Sequence, residues 1–267
     1  MKRSIALALS LAFFPPLLAL AQSQPAPVAP PTEFIQVVTV TVKPEAVTDY
    51  EDYVKKIVAS AGKSTAFPRV VAYQVAMGGP AYTYHFVLPF QKWAELDNWT
   101  TISAALASAQ GEAEAARITK AGRTAVKHSE NAVHRLLPDL STRPRALASP
   151  ARFAYLVRTE VDPDEQRPYE DFLARLKAAQ EQAPDAPSAV RRVSVMGSAL
   201  TYTTVQFFNK HAERDGWTSV PDTLRKAHGD TEGRRLLDEG TRAVRRREVL
   251  VLAHRPDLSV LTAPATR

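Results

Sequence analysis

The sequence predicts an α+β protein built from two tandem βαββαβ units, residues 34–141 and 152–259, and two observations carry that prediction. The first is internal repetition. Tyr50-Glu51-Asp52-Tyr53 returns as Tyr169-Glu170-Asp171-Phe172, Met77-Gly78 as Met196-Gly197, and Trp99-Thr100 as Trp217-Thr218. Gly122 with Ala125-Val126 returns as Gly240 with Ala243-Val244, and Pro138-Asp139-Leu140-Ser141 as Pro256-Asp257-Leu258-Ser259. The offset is 119 residues early and 118 late, which places a one-residue deletion near Trp99. The second observation is periodicity: two-residue and helical repeats alternate in the same order in both units.

In the first unit, Phe34 to Val42 is β-branched and alternating, a strand signal. Pro44 suits the first turn of a helix, and Val47, Tyr50, Tyr53, Val54, Ile57 and Ala61 follow at helical spacing. Val70 to Met77 reads as the second strand, Gly78-Gly79-Pro80 as a turn, and Ala81 to Leu88 as the hairpin partner. An Ala-rich helical stretch over 91–127, in two or three pieces, precedes a last strand from Asn131 to Leu137. The second unit repeats this with a strand from Phe153 to Val161 and a helix carrying Tyr169, Phe172, Leu173 and Leu176. Its hairpin runs over Val190 to Met196 and Thr201 to Phe208. A helical stretch over 211–246, broken at Pro221 and Gly229-Asp230, leads to a last strand from Val249 to Leu252. This order is the ferredoxin-like split βαβ arrangement: helices cover one face of an antiparallel sheet and the other face needs cover. Residues 142–151, with Pro144 and Pro150, read as a linker, and residues 260–267 as a flexible tail.

Composition narrows the classes of function. Lys2-Arg3, the apolar run to Leu20 and the small-x-small Ala19-Leu20-Ala21 predict a signal peptide over 1–21, followed by a Pro-rich spacer over 22–33. Pro15-Pro16 interrupts the apolar run, which is too short to span a membrane comfortably, so the mature chain is expected free in the periplasm or secreted. Cleavage would take the formal charge from +6 to +4, because it removes two cations and no acid. The absence of cysteine excludes disulfides and leaves stability to core packing. The densest basic cluster, Arg245-Arg246-Arg247, is expected at a solvated helix end, and no nucleic-acid partner is expected.

The element order, the duplication and the glycine turn after Met77 and Met196 resemble the dimeric α+β barrel superfamily. That group includes antibiotic-biosynthesis-type monooxygenases, haem-degrading monooxygenases and chlorite-dismutase-like haem proteins. The likeness is architectural and covers nearly all of 34–259. The Pro-Asp-Leu-Ser tract is similar to one that ends exported bacterial proteins of unknown function. The resemblance implies that the two units pair their bare sheet faces into a barrel. With both units in one chain, a monomer would close a pseudo-dimeric barrel, since tethering raises the effective concentration of the second unit.

Strand alternation then assigns side chains to the two faces of each sheet. Val38, Val40, Val42, Ala72, Val157, Val161 and Val193 are expected against the helices. Thr39, Tyr73, His85, Arg158, Glu160, Arg192 and Tyr202 are expected in the lumen. That set would serve a small organic ligand, anionic, carbonyl-bearing or aromatic, because guanidinium offers a planar fork of donors. An enzymatic alternative is a cofactor-independent monooxygenase using His85 as general base with the lumen tyrosines. A structural alternative has Arg158, Glu160 and Arg192 filling the barrel as a salt-bridged network.

No cofactor is expected, with one exception implied by the resemblance. Trp217 and His228 are similar in placement to the Trp and helical proximal His of haem-degrading monooxygenases, which would make His228 a haem ligand. Gly229-Asp230 follows His228 at once, and the first copy has Gln110 there. No histidine pair has metal-ligand spacing, and neither a phosphate loop nor a nucleophile elbow is present. Trp99 and Trp217 are expected to pack helix onto sheet, and Glu51, Asp52, Glu170 and Asp171 to lie in solvent.

Overall fold

The computed structural model describes residues 32–62, 66–144, 149–183, 185–197 and 199–261. The expected signal peptide and all but the last two residues of the spacer lie outside these. The first half contributes β1 (Phe34–Val42), α1 (Val47–Ala61), β2 (Val71–Met77), β3 (Thr83–Phe90), α2 (Ile102–Gln110), α3 (Glu112–Ala125) and β4 (Val126–Leu136). The second contributes β5 (Phe153–Val161), α4 (Gln166–Gln182), β6 (Val190–Met196), β7 (Thr201–Phe208), α5 (Val220–His228), α6 (Asp230–Arg242) and β8 (Val244–His254). The strands run β1-β3-β2-β8-β5-β7-β6-β4 and close into an antiparallel barrel. Its seams between the halves are β2 with β8 and β4 with β6. One chain therefore closes the barrel that the resemblance implied. Among the described residues, no helix is long and apolar enough to cross a membrane.

Each helix layer follows from its apolar stripe. Tyr50 and Val54 of α1 pack with Val40, Val42, Ala72 and Tyr84 of the sheet, and Tyr169 and Leu173 of α4 pack with Val161, Val193 and Tyr202. Gly122 and Gly240 let an aromatic ring of the neighbouring helix approach closely. A Cβ on Gly122 would sit 2.4 Å from the Tyr53 ring, and one on Gly240 would sit 2.5 Å from that of Phe172. Pro221 lies in the first turn of α5, where its missing N–H costs nothing, so it opens the helix rather than breaking it.

The repeated Pro-Asp-Leu-Ser tract is a crossover latch. Each copy forms a 3-10 turn, Pro138–Leu140 or Pro256–Leu258, and reaches the opposite half. Ser259 Oγ accepts from Ala72 N at 2.9 Å, and Ser141 Oγ accepts from Arg191 N at 2.9 Å. Leu258, 1% exposed, completes the core of the first half, and Leu140 packs on that of the second. Thr142 and Val260, read from sequence as linker and tail, pair with Ala189 and Val70.

Two expectations need correction. The one-residue deletion lies in the hairpin turns, residues 78–82 against 197–200, and not near Trp99. Strands β4 and β8 also start earlier than expected, so Arg245-Arg246-Arg247 is exposed strand and not a helix end. Their first halves pair with β1 and β5 alone, because β6 and β2 reach only their last residues. Charged side chains suit such an open edge, and they hide its alternation from a hydrophobicity reading.

Candidate functional site

The inner faces of the strands enclose a cavity of about 630 Å³. Its walls are largely aliphatic, with Ile35, Val37, Val71, Val87, Leu156 and Val205 among them. Thr39, Tyr73, His85, Arg158 and Arg192 line it as expected, and His134, Glu130, Arg69 and Thr203 join them.

Tyr202 and Glu160 do not line the cavity. Tyr202 points into the helix layer, 2% exposed, and donates to Glu170 at 2.5 Å. Tyr84 does the same with Glu51 at 2.7 Å. Because the deletion falls in the hairpin turn, Tyr202 is the copy of Tyr84, and Thr203 is the copy of His85. A deletion near Trp99 would put β7 one residue out of frame, and a one-residue shift exchanges the two faces. Glu51, expected in solvent, also holds Arg255, with Oε2 2.9 Å from Nη2. Glu160 lies at the end of β5, in register with Thr201 and Arg246, and is not among the residues that line the cavity.

The predicted Arg158–Glu160–Arg192 network therefore does not form. Arg158 Nη1 lies 3.2 Å from Glu130 and 3.8 Å from Glu248. Arg192 donates to the carbonyl oxygens of Thr32 at 2.7 Å and Glu33 at 3.1 Å. It is 6% exposed, and among the described residues no carboxylate forms a salt bridge with it. Burial lowers its pKa to about 10, against an opposing pull from Glu33.

The two buried histidines of the lumen, His85 and His134, are held neutral. His85 is 8% exposed, and its pKa falls to about 4 through burial first and the neighbouring Arg158 second, against an opposing pull from Glu130. Its Nδ1 lies 3.1 Å from Thr39 Oγ1, and its Nε2 has no hydrogen-bond partner. His134, 7% exposed, falls to about 4 through burial, then Arg158 and Arg192, and its Nδ1 has no partner. Tyr73 is raised to about 12 by burial. At neutral pH the cavity thus presents two uncharged imidazoles with free nitrogens beside fixed guanidinium charge.

The two halves agree in their shell and differ in their lumen. Tyr84 and Tyr202, Phe90 and Phe208, and Trp99 and Trp217 keep the same roles, and each Trp ring lies edge-on to its Phe at 5.9 or 5.7 Å. Facing the cavity, Thr39 is matched by Arg158, Tyr73 by Arg192, His85 by Thr203 and His134 by Leu252. The first half supplies the imidazoles and the second half Arg158 and Arg192. Glu130 and His134 sit on β4, and their inward parity was readable once that strand was given its full length.

No family model and no curated protein matches the chain. Among solved structures, an anthrone oxidase-like protein superposes with a TM-score of 0.54 at 12% identity, over 90% of this chain and 100% of that one. A mutant chlorite dismutase from Candidatus Nitrospira defluvii gives 0.51 at 10% identity, over 88% and 97%. A candidate monooxygenase from Fusobacterium nucleatum subsp. nucleatum gives 0.51 at 9%, over 84% and 93%. The chain has the dimeric α+β barrel fold, with both ferredoxin-like halves in one polypeptide.

The expectation of no cofactor is corrected by this likeness. The chlorite dismutases, haem proteins, share the fold, so a cofactor-free barrel is not what the comparison supports. His228 does not fit the part of haem ligand. It is the exposed last residue of α5, in the helix layer, and it does not line the cavity. Among the described residues, no cluster of three His, Asp or Glu side chains is placed to hold a metal ion.

Proposed function

We propose that this barrel binds a small organic anion with an apolar body, in an exported protein whose leader ends at Ala21. The observation that carries this reading is the cavity of about 630 Å³ lined by Arg192, which is buried and, among the described residues, in no salt bridge. A buried cation whose hydrogen bonds go to neutral carbonyls, with Glu33 acting on it only at a distance, gains from a bound anion, because Coulomb attraction is strong where water is displaced. The aliphatic strips from Ile35 to Val37 and from Val87 to Val205 take the apolar body. Arg158, already shared between Glu130 and Glu248, is the second donor to the anionic head.

The test is calorimetric titration with 2-naphthoate, alongside 2-naphthalenemethanol as a neutral counterpart. The expected result is binding of the carboxylate at least about tenfold tighter than the alcohol, with Arg192→Met removing most of the difference, as a charge-assisted contact implies. Equal binding of acid and alcohol, or no rise in melting temperature with any of a panel of aromatic and aliphatic carboxylates, overturns the reading.

A further inference from the structure

We infer that the lumen takes up its anion together with a proton, and that the proton is held on His85 between Thr39 and the bound oxygen. This rests on the reading of the cavity as an anion site.

The geometry separates His85 from the other ionisable groups around it. Its Nδ1 is fixed by Thr39 Oγ1 at 3.1 Å, so the ring cannot turn freely, and its Nε2 is buried without a partner in a residue that lines the cavity. Either tautomer leaves Nε2 in want of a partner, a lone pair without a donor or an N–H without an acceptor. The charged and titratable groups around it are Arg69 before β2 and Tyr73 on β2, His128, Glu130 and His134 on β4, Arg158 on β5, Arg192 on β6 and Glu248 on β8, with His128 Nε2 3.7 Å from Glu130. Among them, Arg158 opposes a charge on His85, and Glu130 favours one. An anion paired with Arg158 cancels that opposition and leaves Glu130 in place. His134 is opposed by both Arg158 and Arg192, with no carboxylate among the groups acting on it. The proton therefore settles on His85.

Once protonated, both ring nitrogens donate: Nδ1–H to Thr39 Oγ1 and Nε2–H to the anion. The proton comes from solvent, no bond of the ligand is broken, and the charge brought in by the anion is matched by the imidazolium. His85 is thus a positioning group for anions whose oxygen accepts a hydrogen bond.

The experiment is calorimetric titration of the full mature chain with 2-naphthoate at about pH 5.5, in buffers of different ionisation enthalpy, which counts protons taken up by linkage. The expected result is uptake of more than about half a proton per naphthoate and an affinity that rises severalfold per unit fall in pH. His85→Gln should still bind but lose the uptake and flatten the pH profile. A second reading needs no variant: imidazole nitrogen spectra of the ¹⁵N-labelled wild type should show His85 becoming protonated on addition of naphthoate while His134 does not. Binding without proton uptake, or protonation of His134 instead, overturns this inference and leaves the anion site standing. Absence of binding overturns both.

Discussion

His85 and His134 make the fold itself sensitive to pH. Each folded-state pKa lies near 4, and an unfolded imidazole titrates near 6.5. As the pH falls through about 6.5 the unfolded chain binds protons that the folded chain refuses. Their contribution is fully present above that range and is lost progressively until the folded groups titrate near pH 4. The loss is on the order of 2–3 kcal/mol for each imidazole. Urea midpoints at pH 7 and pH 4.5 should differ accordingly, and in the His85→Gln/His134→Gln double variant the difference should shrink. Gly122 and Gly240 set a second residue-scale expectation. Alanine at either position forces Tyr53 or Phe172 aside, at about 1–3 kcal/mol, read as a lower denaturation midpoint with the slope unchanged. At this scale the sequence was legible wherever alternation could be counted from an anchored strand end, as for Thr39, Tyr73 and Arg158. It failed at Tyr202, because two short turns of unequal length carry no hydrophobic signal and the frame of β7 depends on which of them is longer.

At the scale of elements, the latch is the feature that local pattern could not assign. Pro-Asp-Leu-Ser announces a stop after a strand in both copies, but nothing in it says that Leu258 belongs to a core built some two hundred residues earlier. Leu258→Ala should cost about 2–4 kcal/mol, and its perturbation should appear in the amide signals of α1 and β2, not in those of α4 and α5. The early residues of β4 and β8 were illegible for a related reason. Lys127, His128 and Arg245 to Arg247 face solvent on strands bonded along one side only, so burial imposes no two-residue rhythm on them. The helices were easier to read, since their apolar stripes at Tyr50, Val54, Tyr169 and Leu173 repeat over whole turns.

At the scale of the whole molecule, duplication made the fold readable and divergence made the site. Two copies that agree at Phe34 and Phe153, Trp99 and Trp217, and Gly122 and Gly240 define one architecture twice. The lumen rests instead on positions where the copies part, His85 against Thr203 and Tyr73 against Arg192, which repetition cannot point to. A homodimer would present every inner residue twice, across an axis. Fusion lets one wall carry His85 and His134 and the other Arg158 and Arg192. The first half expressed alone, residues 32–144, should therefore assemble as a homodimer through the bare edges of β2 and β4, seen by sedimentation equilibrium. Lacking Arg158 and Arg192, that assembly should not bind 2-naphthoate.

The crossing of Leu258 into the first half also orders events in time. While the chain is still leaving the ribosome, that half lacks the residue that plugs its interior and the strand that covers its margin, however long it waits. Neither half can finish ahead of the other, and a chain that stops before Val244 leaves β2 without the strand that closes its seam.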